Sequence, residues 1–439
     1  MWLMVQSVPR DVQGDMTVSD DDAVLRNAAL QNEHPERHEI GLPIPFREFI
    51  GLMALLMAMT ALSIDIMLPA LPEIGAALGV TTANDRQLVI SSYFLGLAGG
   101  QLFWGPVSDR LGRKLPLLAG LAIFVVATMA AAGAASFKML LAARLIQGFG
   151  GAAARTISMA IIRDLFAGRQ MAKVMSTIMM VFITVPILAP SVGQGVIGFG
   201  GWKTTFYVLL LVSSVAAIWS ALRLPETSAI RFAGHGKPLS LAAGVRLVLS
   251  SPATIAYGLA AGLTFGCLVT YISSAQQVFV DIYGLGRLFP LAFGGVAVGI
   301  ALASYTNARL VQRLGMRRLS HTALVSFLGV SLLLAAIASV AQPPLIVFWP
   351  LLALCFFLFG LMQSNFNAIA MSPVGQAAGT ASSLLGFSVT AIGAILGGSI
   401  ARHFDGTVLP LALGFVALSA AALLVIAVCE GRNGLFRGE

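Results

Sequence analysis

Twelve windows of about 20 mostly apolar residues, separated by short polar loops, constrain this chain more than any other feature of its sequence. A helix needs about 20 such residues to cross the roughly 30 Å hydrocarbon core of a bilayer. Helices satisfy their backbone polar groups internally, as lipid demands. Spanning strands would alternate apolar and polar residues over about 10 positions, whereas the runs here are unbroken. Composition agrees: 57% of the 439 residues are hydrophobic, 10% are charged, and mean hydropathy is +0.88. Soluble domains carry about 25% charged residues, so this chain lacks the polar surface to coat a water-facing globule. The expected fold class is all-α integral membrane.

Spans are predicted near 47–70, 86–107, 115–135, 139–163, 171–198, 203–223, 252–279, 288–311, 320–341, 344–370, 376–401 and 408–429. The expected organisation is a polar, disordered cytoplasmic tail over 1–45, a six-helix bundle over 46–223, a cytoplasmic linker over 224–250, a second bundle over 251–430 and a cytoplasmic tail over 431–439. The first tail is acidic, with four Arg against eight Asp and Glu over residues 1–47. It lacks the basic start, apolar stretch and cleavage site of a secretory signal. An even span number puts both termini on one side. With the N-terminus inside, about 20 Lys and Arg fall in inner segments and 5 in outer loops, the bias that marks the cytoplasmic side. The basic balance is thus a topology signal, and no basic cluster interleaved with aromatics suggests nucleic acid.

Several classes are excluded. Cys267, Cys355 and Cys429 form no disulfide framework, and no histidine pair has metal-ligand spacing within a span. No nucleophile–base pair or G-x-x-x-x-G-K-[ST] phosphate loop is present. An enzyme, a metal site and a cofactor are therefore not expected.

The hexapeptide DRLGRK at Asp109–Lys114 reappears as QRLGMR at Gln312–Arg317, 203 residues on, each after the second span of its half. Parallel six-span repeats about an axis along the membrane normal are a known transporter plan, with the substrate site between the halves. Gly105 and Gly112, in GPVSDRLGRK (Gly105–Lys114), permit a tight turn and close helix approach. RLIQGFGGAAAR (Arg144–Arg155) puts Arg144 inside the fourth span beside the small residues Gly148, Gly151 and Ala152. A charge at that depth faces a partner or an aqueous cavity, and Arg155, eleven residues on, lies about 20° around the helix. SIDIMLPALP (Ser63–Pro72) carries Asp65, seven residues before Pro72 and so roughly 10 Å from the outer end. Arg144 has a similar depth, so the two are expected to meet. Burial raises a carboxylate's pKa and a nearby cation lowers it, and that competition makes a proton site. VPILAPSVGQG (Val185–Gly195) bends the fifth span at Pro186 and Pro190.

These motifs resemble the major facilitator superfamily. GPVSDRLGRK matches its G-x-x-x-D-R-x-G-R-K signature at Gly105, Asp109, Arg110, Gly112, Arg113 and Lys114, and RLIQGFG matches its R-x-x-Q-G-x-G motif. VPILAPSVGQG is similar to the antiporter motif A-P-x-x-A-P-x-x-G-G of the bicyclomycin/chloramphenicol-resistance (Bcr/CflA) drug:proton antiporters, with Val185 for the first Ala, Gly193 retained and Gln194 for the second Gly. The fragments IIRDLF, YISSAQQVF and GTASSLLGF fit the same exporters, so the resemblance covers nearly everything after about residue 45. It implies a major facilitator fold, twelve helices in two six-helix bundles with pseudo-two-fold symmetry. It implies that Asp109 sits against the start of the eleventh span and that Gly105, Asp109, Arg110, Gly112 and Arg113 form a conformational latch, with Asp164 in reach of Arg113. It implies that Arg144 takes part in proton coupling, mainly by setting a neighbouring carboxylate's pKa, and the depth of Asp65 makes it the expected carboxylate.

The cavity is expected to draw on Met57, Tyr93, Gln147, Met179, Phe182, Tyr271, Gln276, Gln363, Asn365 and Phe366. Polar amides in lipid want partners, and methionine surfaces repack around varied ligands. No firmly intramembrane acid or base is expected in the second half. The resulting expectation is export of small amphipathic, drug-like molecules in exchange for protons, by a monomer in a bacterial inner membrane with both termini cytoplasmic. The rival is a symporter or uniporter importing a small metabolite.

Overall fold

Backbone hydrogen bonding inside lipid leaves helices as the economical solution, and among the described residues twelve helices are long and apolar enough to cross a membrane. The computed structural model describes residues 44–166, 168–227 and 241–431. The spans are α1 (Phe46–Ala77), α2 (Ala83–Leu111), α3 (Lys114–Ala132), α4 (Phe137–Leu165), α5 (Lys173–Gly200), α6 (Lys203–Arg223), α7 (Pro252–Ile282), α8 (Gly286–Leu314), α9 (Met316–Val340), α10 (Leu345–Gly375), α11 (Ala378–Ala401) and α12 (Leu409–Glu430). The expected tails lie outside the described residues over 1–43 and 432–439, as does 228–240 of the linker.

Two spans run on where the sequence pattern predicts an end. In α1 the regular helix stops at Asp65, a 3₁₀ turn covers Leu68–Ala70, and a last segment covers Leu71–Ala77. Pro69 and Pro72 each open a new segment, because a first-turn residue needs no N–H donor. α7 ends in a π-helical turn over Gln277–Ile282, and α11 contains one over Gly393–Gly397. The polar stretch taken as linker holds a short helix, Leu241–Leu249. Its Val248 packs with Val374 and Ala381 beside the start of α11. Nine residues are too few to register in a span-length window.

Helix pairing obeys one rule. α2 lies along α4, α3 against α4 and α6, and α1 against α4, α5 and α6. Adding six to each label gives the second bundle: α8 along α10, α9 against α10 and α12, α7 against α10, α11 and α12. The bundles meet along α2–α11 and α5–α8, which the same operation exchanges. Backbone detail follows the repeat. Gly112 after α2 has φ of 87° and Gly315 after α8 has φ of 76°, a conformation that costs a residue with a Cβ about 1–2 kcal/mol.

Small residues set the helix spacing, as expected where lipid offers no hydrophobic drive between helices. A Cβ on Gly148 of α4 would overlap the carbonyl oxygen of Tyr93 on α2, and one on Gly96 of α2 would overlap that of Leu145 on α4. In the second bundle a Cβ on Gly360 of α10 would lie 2.6 Å from Ala303 Cβ and 3.3 Å from Ile300 O of α8. Gly148→Val is therefore expected to force α4 off α2, with an overpacking cost of about 1–3 kcal/mol or more. Thermal denaturation of detergent-purified protein checks this against Gly99→Ala. That change has nothing within 4 Å to strike and should hold or raise stability, since Ala outranks Gly in a helix by about 1 kcal/mol.

Candidate functional site

Charges inside a span must be neutralised by neighbours or open to a cavity, and Arg144 shows the first solution. Its buried guanidinium donates to Val89 O of α2 at 3.2 Å, to Ser63 O of α1 at 3.0 Å and to Gln147 Oε1 at 2.6 Å, with the Tyr93 ring 4.5 Å from Cζ. Gln147 in turn donates to Thr128 Oγ1 of α3 at 2.7 Å. One side chain thus ties α1, α2, α3 and α4 together, entirely through uncharged acceptors.

The expected Asp65–Arg144 pair is not formed. Arg144 reaches the carbonyl of Ser63, two residues short of Asp65. A free carbonyl near the end of a helical segment is within easier reach than the carboxylate. Asp65 is 3% exposed and, among the described residues, has neither a hydrogen bond nor an ion pair. It stands where the regular helix of α1 breaks. The next residue's carbonyl, Ile66 O, is the atom that a Cβ on Gly193 of α5 would overlap, and Pro69 Cγ lies 3.2 Å from the same point. A few residues earlier in α5, Ile187 Cα and O lie 3.2 Å from a Cβ built on Gly294 of α8. The segment holding Pro186, Pro190 and Gly193 therefore packs at once on the α1 break and on the opposite bundle.

A second assembly occupies the face that carries the α2–α3 turn, here the turn face. Arg113, buried, donates through Nε to Asp164 Oδ2 at 2.7 Å and through Nη1 to Asp109 Oδ1 at 2.8 Å and Ser108 Oγ at 2.9 Å. Asp109 Oδ2 lies 3.2 Å from the position of a Cβ on Gly379, in the first turn of α11, and a Cβ on Gly105 would overlap Ser383 Oγ. A carboxylate is favoured at a helix N-terminus by about 0.3–1 kcal/mol. Arg110 is exposed.

Three features escaped the sequence reading. Glu226, just after α6, accepts from the backbone N–H of Arg113 at 2.8 Å and of Lys114 at 3.0 Å, capping α3. In the second half, Tyr257 OH donates to Glu430 Oε1 at 2.7 Å and lies 2.9 Å from His321 Nε2, while Arg317 Nη1 is 3.5 Å from Glu430 Oε2. His321 is buried at the start of α9, near that span's end. The signal was available: Glu226 stands three residues past α6 and Glu430 ends α12, each 113 residues after Arg113 and Arg317 respectively. Third, the face opposite the turn is joined across the halves. Gln87 Nε2 donates to Gln277 Oε1, and Gln277 Nε2 to Asn84 Oδ1 at 2.8 Å. Asn84 Nδ2 donates to Arg402 O at 2.9 Å and Phe404 O at 2.7 Å, and Arg402 pairs with Asp85 at 2.9 Å.

Of the expected cavity residues, Met179, Phe182 and Gln363 are half-buried, and Gln363 accepts from Thr264 of α7 at 3.2 Å. The others are packed inside the bundles. Met57 is 3% exposed, Tyr93 and Gln147 belong to the Arg144 network, and Tyr271 lies between Phe293 and Phe356. Gln276 donates to Asp281 on its own helix end at 3.2 Å, Asn365 to Asn307 of α8 at 2.7 Å, and Phe366 packs on Tyr257. Apolar periodicity does not separate the face of a span that meets its own bundle from the face that meets the axis.

Twelve spans, two interchangeable bundles and an ion-paired turn are the features of a secondary-transporter fold, and the chain belongs to the Major Facilitator Superfamily, whose family model matches residues 53–398. It is 33% identical over 403 residues to a bicyclomycin resistance protein homolog of Haemophilus influenzae, covering 89% of this chain and 98% of that one. A chloramphenicol resistance protein of Pseudomonas aeruginosa is 33% identical over 261 residues, 58% of this chain and 60% of that one. The fold is also that of the xylose transporter XylE of E. coli in a partially occluded inward-open conformation, with TM-score 0.68 and 13% identity over 86% of this chain and 96% of that one.

Arg113 and Asp164 are each 2% exposed, and removing one member of a buried pair costs about 3–5 kcal/mol. Arg113→Ala should therefore destabilise strongly, and much less so in an Asp164→Asn background. A double-mutant cycle of thermal denaturation midpoints measures the difference.

Proposed function

We propose that this chain exports small drug-like molecules in exchange for protons by alternating access. The observation that carries the reading is Asp65: an acid in the middle of a span, buried and without an ion partner, at the α1 break on which the proline-bent α5 packs. An acid with no fixed counter-charge can take up or release a proton without first breaking a salt bridge. Its neighbour Arg144 already has its acceptors and does not compete for it. The bend of α5 touches both the Asp65 segment and α8 of the other half, so a change at Asp65 can bias how the halves rock.

Alternating access then works between two sets of contacts. At the turn face Asp109, Arg113 and Asp164 hold α2 near the start of α11, and at the opposite face Asn84, Asp85, Gln87, Gln277 and Arg402 join the halves. Opening one face requires loosening its set. Positive-inside bias makes the turn face cytoplasmic, with both termini on that side of a bacterial inner membrane, and one chain contains the whole pathway. The resistance proteins among the relatives support export of antibiotics of the bicyclomycin or chloramphenicol kind.

The test uses everted membrane vesicles with an acid interior and radiolabelled chloramphenicol. Antiport predicts uptake into the acid lumen, abolished by Asp65→Asn at unchanged protein level. Uptake undiminished in Asp65→Asn removes Asp65 from coupling, and movement of drug out of the acid lumen would indicate the symport direction instead.

A further inference from the structure

Arg155 is the second solution to a charge inside a span. It lies on α4, which runs over Phe137–Leu165, ten residues from the end of the helix, and it is exposed. Its exposure does not come from the lipid side. At about 100° per residue, Arg155 sits roughly 20° from Arg144 and from Gly148, both packed toward α2, and about 180° from the exposed Ile146. Among the described residues it makes no hydrogen bond and no ion pair, unlike Arg144 on the same helix. An arginine at this depth, off the lipid stripe and without a protein partner, faces a wet cleft.

The repeat supports the same placement independently. Gly96 of α2 meets Leu145 O and Phe149 N of α4, and Gly299 of α8 meets Ala353 O and Phe357 N of α10, so each α4 position maps onto the α10 position 208 residues on. Arg155 therefore corresponds to Gln363, which is half-buried and accepts from Thr264 of α7 at 3.2 Å. Gln363 is about 180° from the lipid-exposed Leu354 of its own helix, as Arg155 is from Ile146. The pseudo-two-fold axis between α4 and α10 thus has a cation on one side and a neutral amide on the other. The acid nearest mid-span, Asp65, is 3% exposed. Every other acid of the described residues lies in a loop or near a span end. The accessible charge of the cleft is positive.

We propose that Arg155 contacts the transported ligand, and that the cleft favours small molecules carrying an anionic group on an apolar body. A guanidinium offers paired donors to a carboxylate or sulfonate. The candidates for the apolar surface that the remainder of such a molecule needs are Met179 and Phe182 of α5, both half-buried. The inference rests on the small-molecule transport reading but not on proton exchange or its direction.

Binding to purified protein in nanodiscs, without any gradient, tests it with three probes of one shape: naphthaleneacetate, its neutral amide naphthaleneacetamide, and naphthylethylammonium. The wild type should bind the carboxylate roughly tenfold or more tighter than the ammonium, the scale of one charge-assisted hydrogen bond. Arg155→Gln should erase that preference while leaving the amide's affinity within a factor of about two. Arg155→Lys should keep part of the preference, because the charge remains and the paired geometry goes. A wild-type preference for the ammonium, or an Arg155→Gln variant with the carboxylate preference intact, overturns the proposal. So does an equal loss of all three probes, which would mark a structural role. Chloramphenicol efflux by the wild type separates a failure of this proposal from a failure of the transport reading: efflux by a wild type that shows no carboxylate preference removes only the role of Arg155.

Discussion

The bond set around Arg144 is the constraint on which the first bundle depends. A guanidinium cannot shed its proton in a protein, so a buried one must be surrounded by acceptors. Here those acceptors are two backbone carbonyls and a glutamine oxygen from α1, α2 and α4, with α3 joined through Gln147 and Thr128. Had a carboxylate done the neutralising, the obvious candidate was Asp65, and its proton chemistry would have been locked in a buried ion pair. By satisfying Arg144 with neutral oxygens, the bundle gains a rigid centre and leaves the acid two residues past Ser63 uncommitted.

That uncommitted acid matters because of where it stands. α1 loses its regular hydrogen bonding after Asp65, and such breaks are tolerated at membrane depth only when buried in protein. Gly193 of α5 does the burying, close enough that a single methyl group would collide with Ile66 O. α5 carries two prolines and continues onto α8 near Gly294. The α1 break, the α5 bend and the joint between halves form one continuous packed element. The α2–α11 seam has the complementary role, with the Arg113 cluster at one end and the Asn84–Gln277–Arg402 bonds at the other.

Much of this was legible in the sequence, for definite reasons. Span existence follows from lipid's intolerance of unsatisfied backbone, so length and hydropathy sufficed. The Asp109–Lys114 repeat was readable because left-handed glycines at 112 and 315 leave a pattern that few other residues can fill. Side-chain partners were less accessible. Depth along a helix placed Asp65 and Arg144 at one level but could not distinguish a carboxylate from a nearby carbonyl as the acceptor. Asn365 and Gln276 looked like cavity polar groups, yet each found a partner inside its own bundle. The apolar window for α1 also stops near residue 70, where a 3₁₀ turn over Leu68–Ala70 leads into a further helical segment to Ala77.

The central claim is that protonation at Asp65 biases a rocking of the two bundles. Spin-label distances measured on the same protein at two faces address it most directly: Gln170 with Gln312 at the turn face, and Thr82 with Asp405 at the other, all exposed positions. Between alkaline and acidic pH the account predicts that one distance lengthens as the other shortens, with Asp65→Asn fixed near the acidic pattern at both pH values. Distances that change together, or an Asp65→Asn protein that still switches with pH, would contradict it.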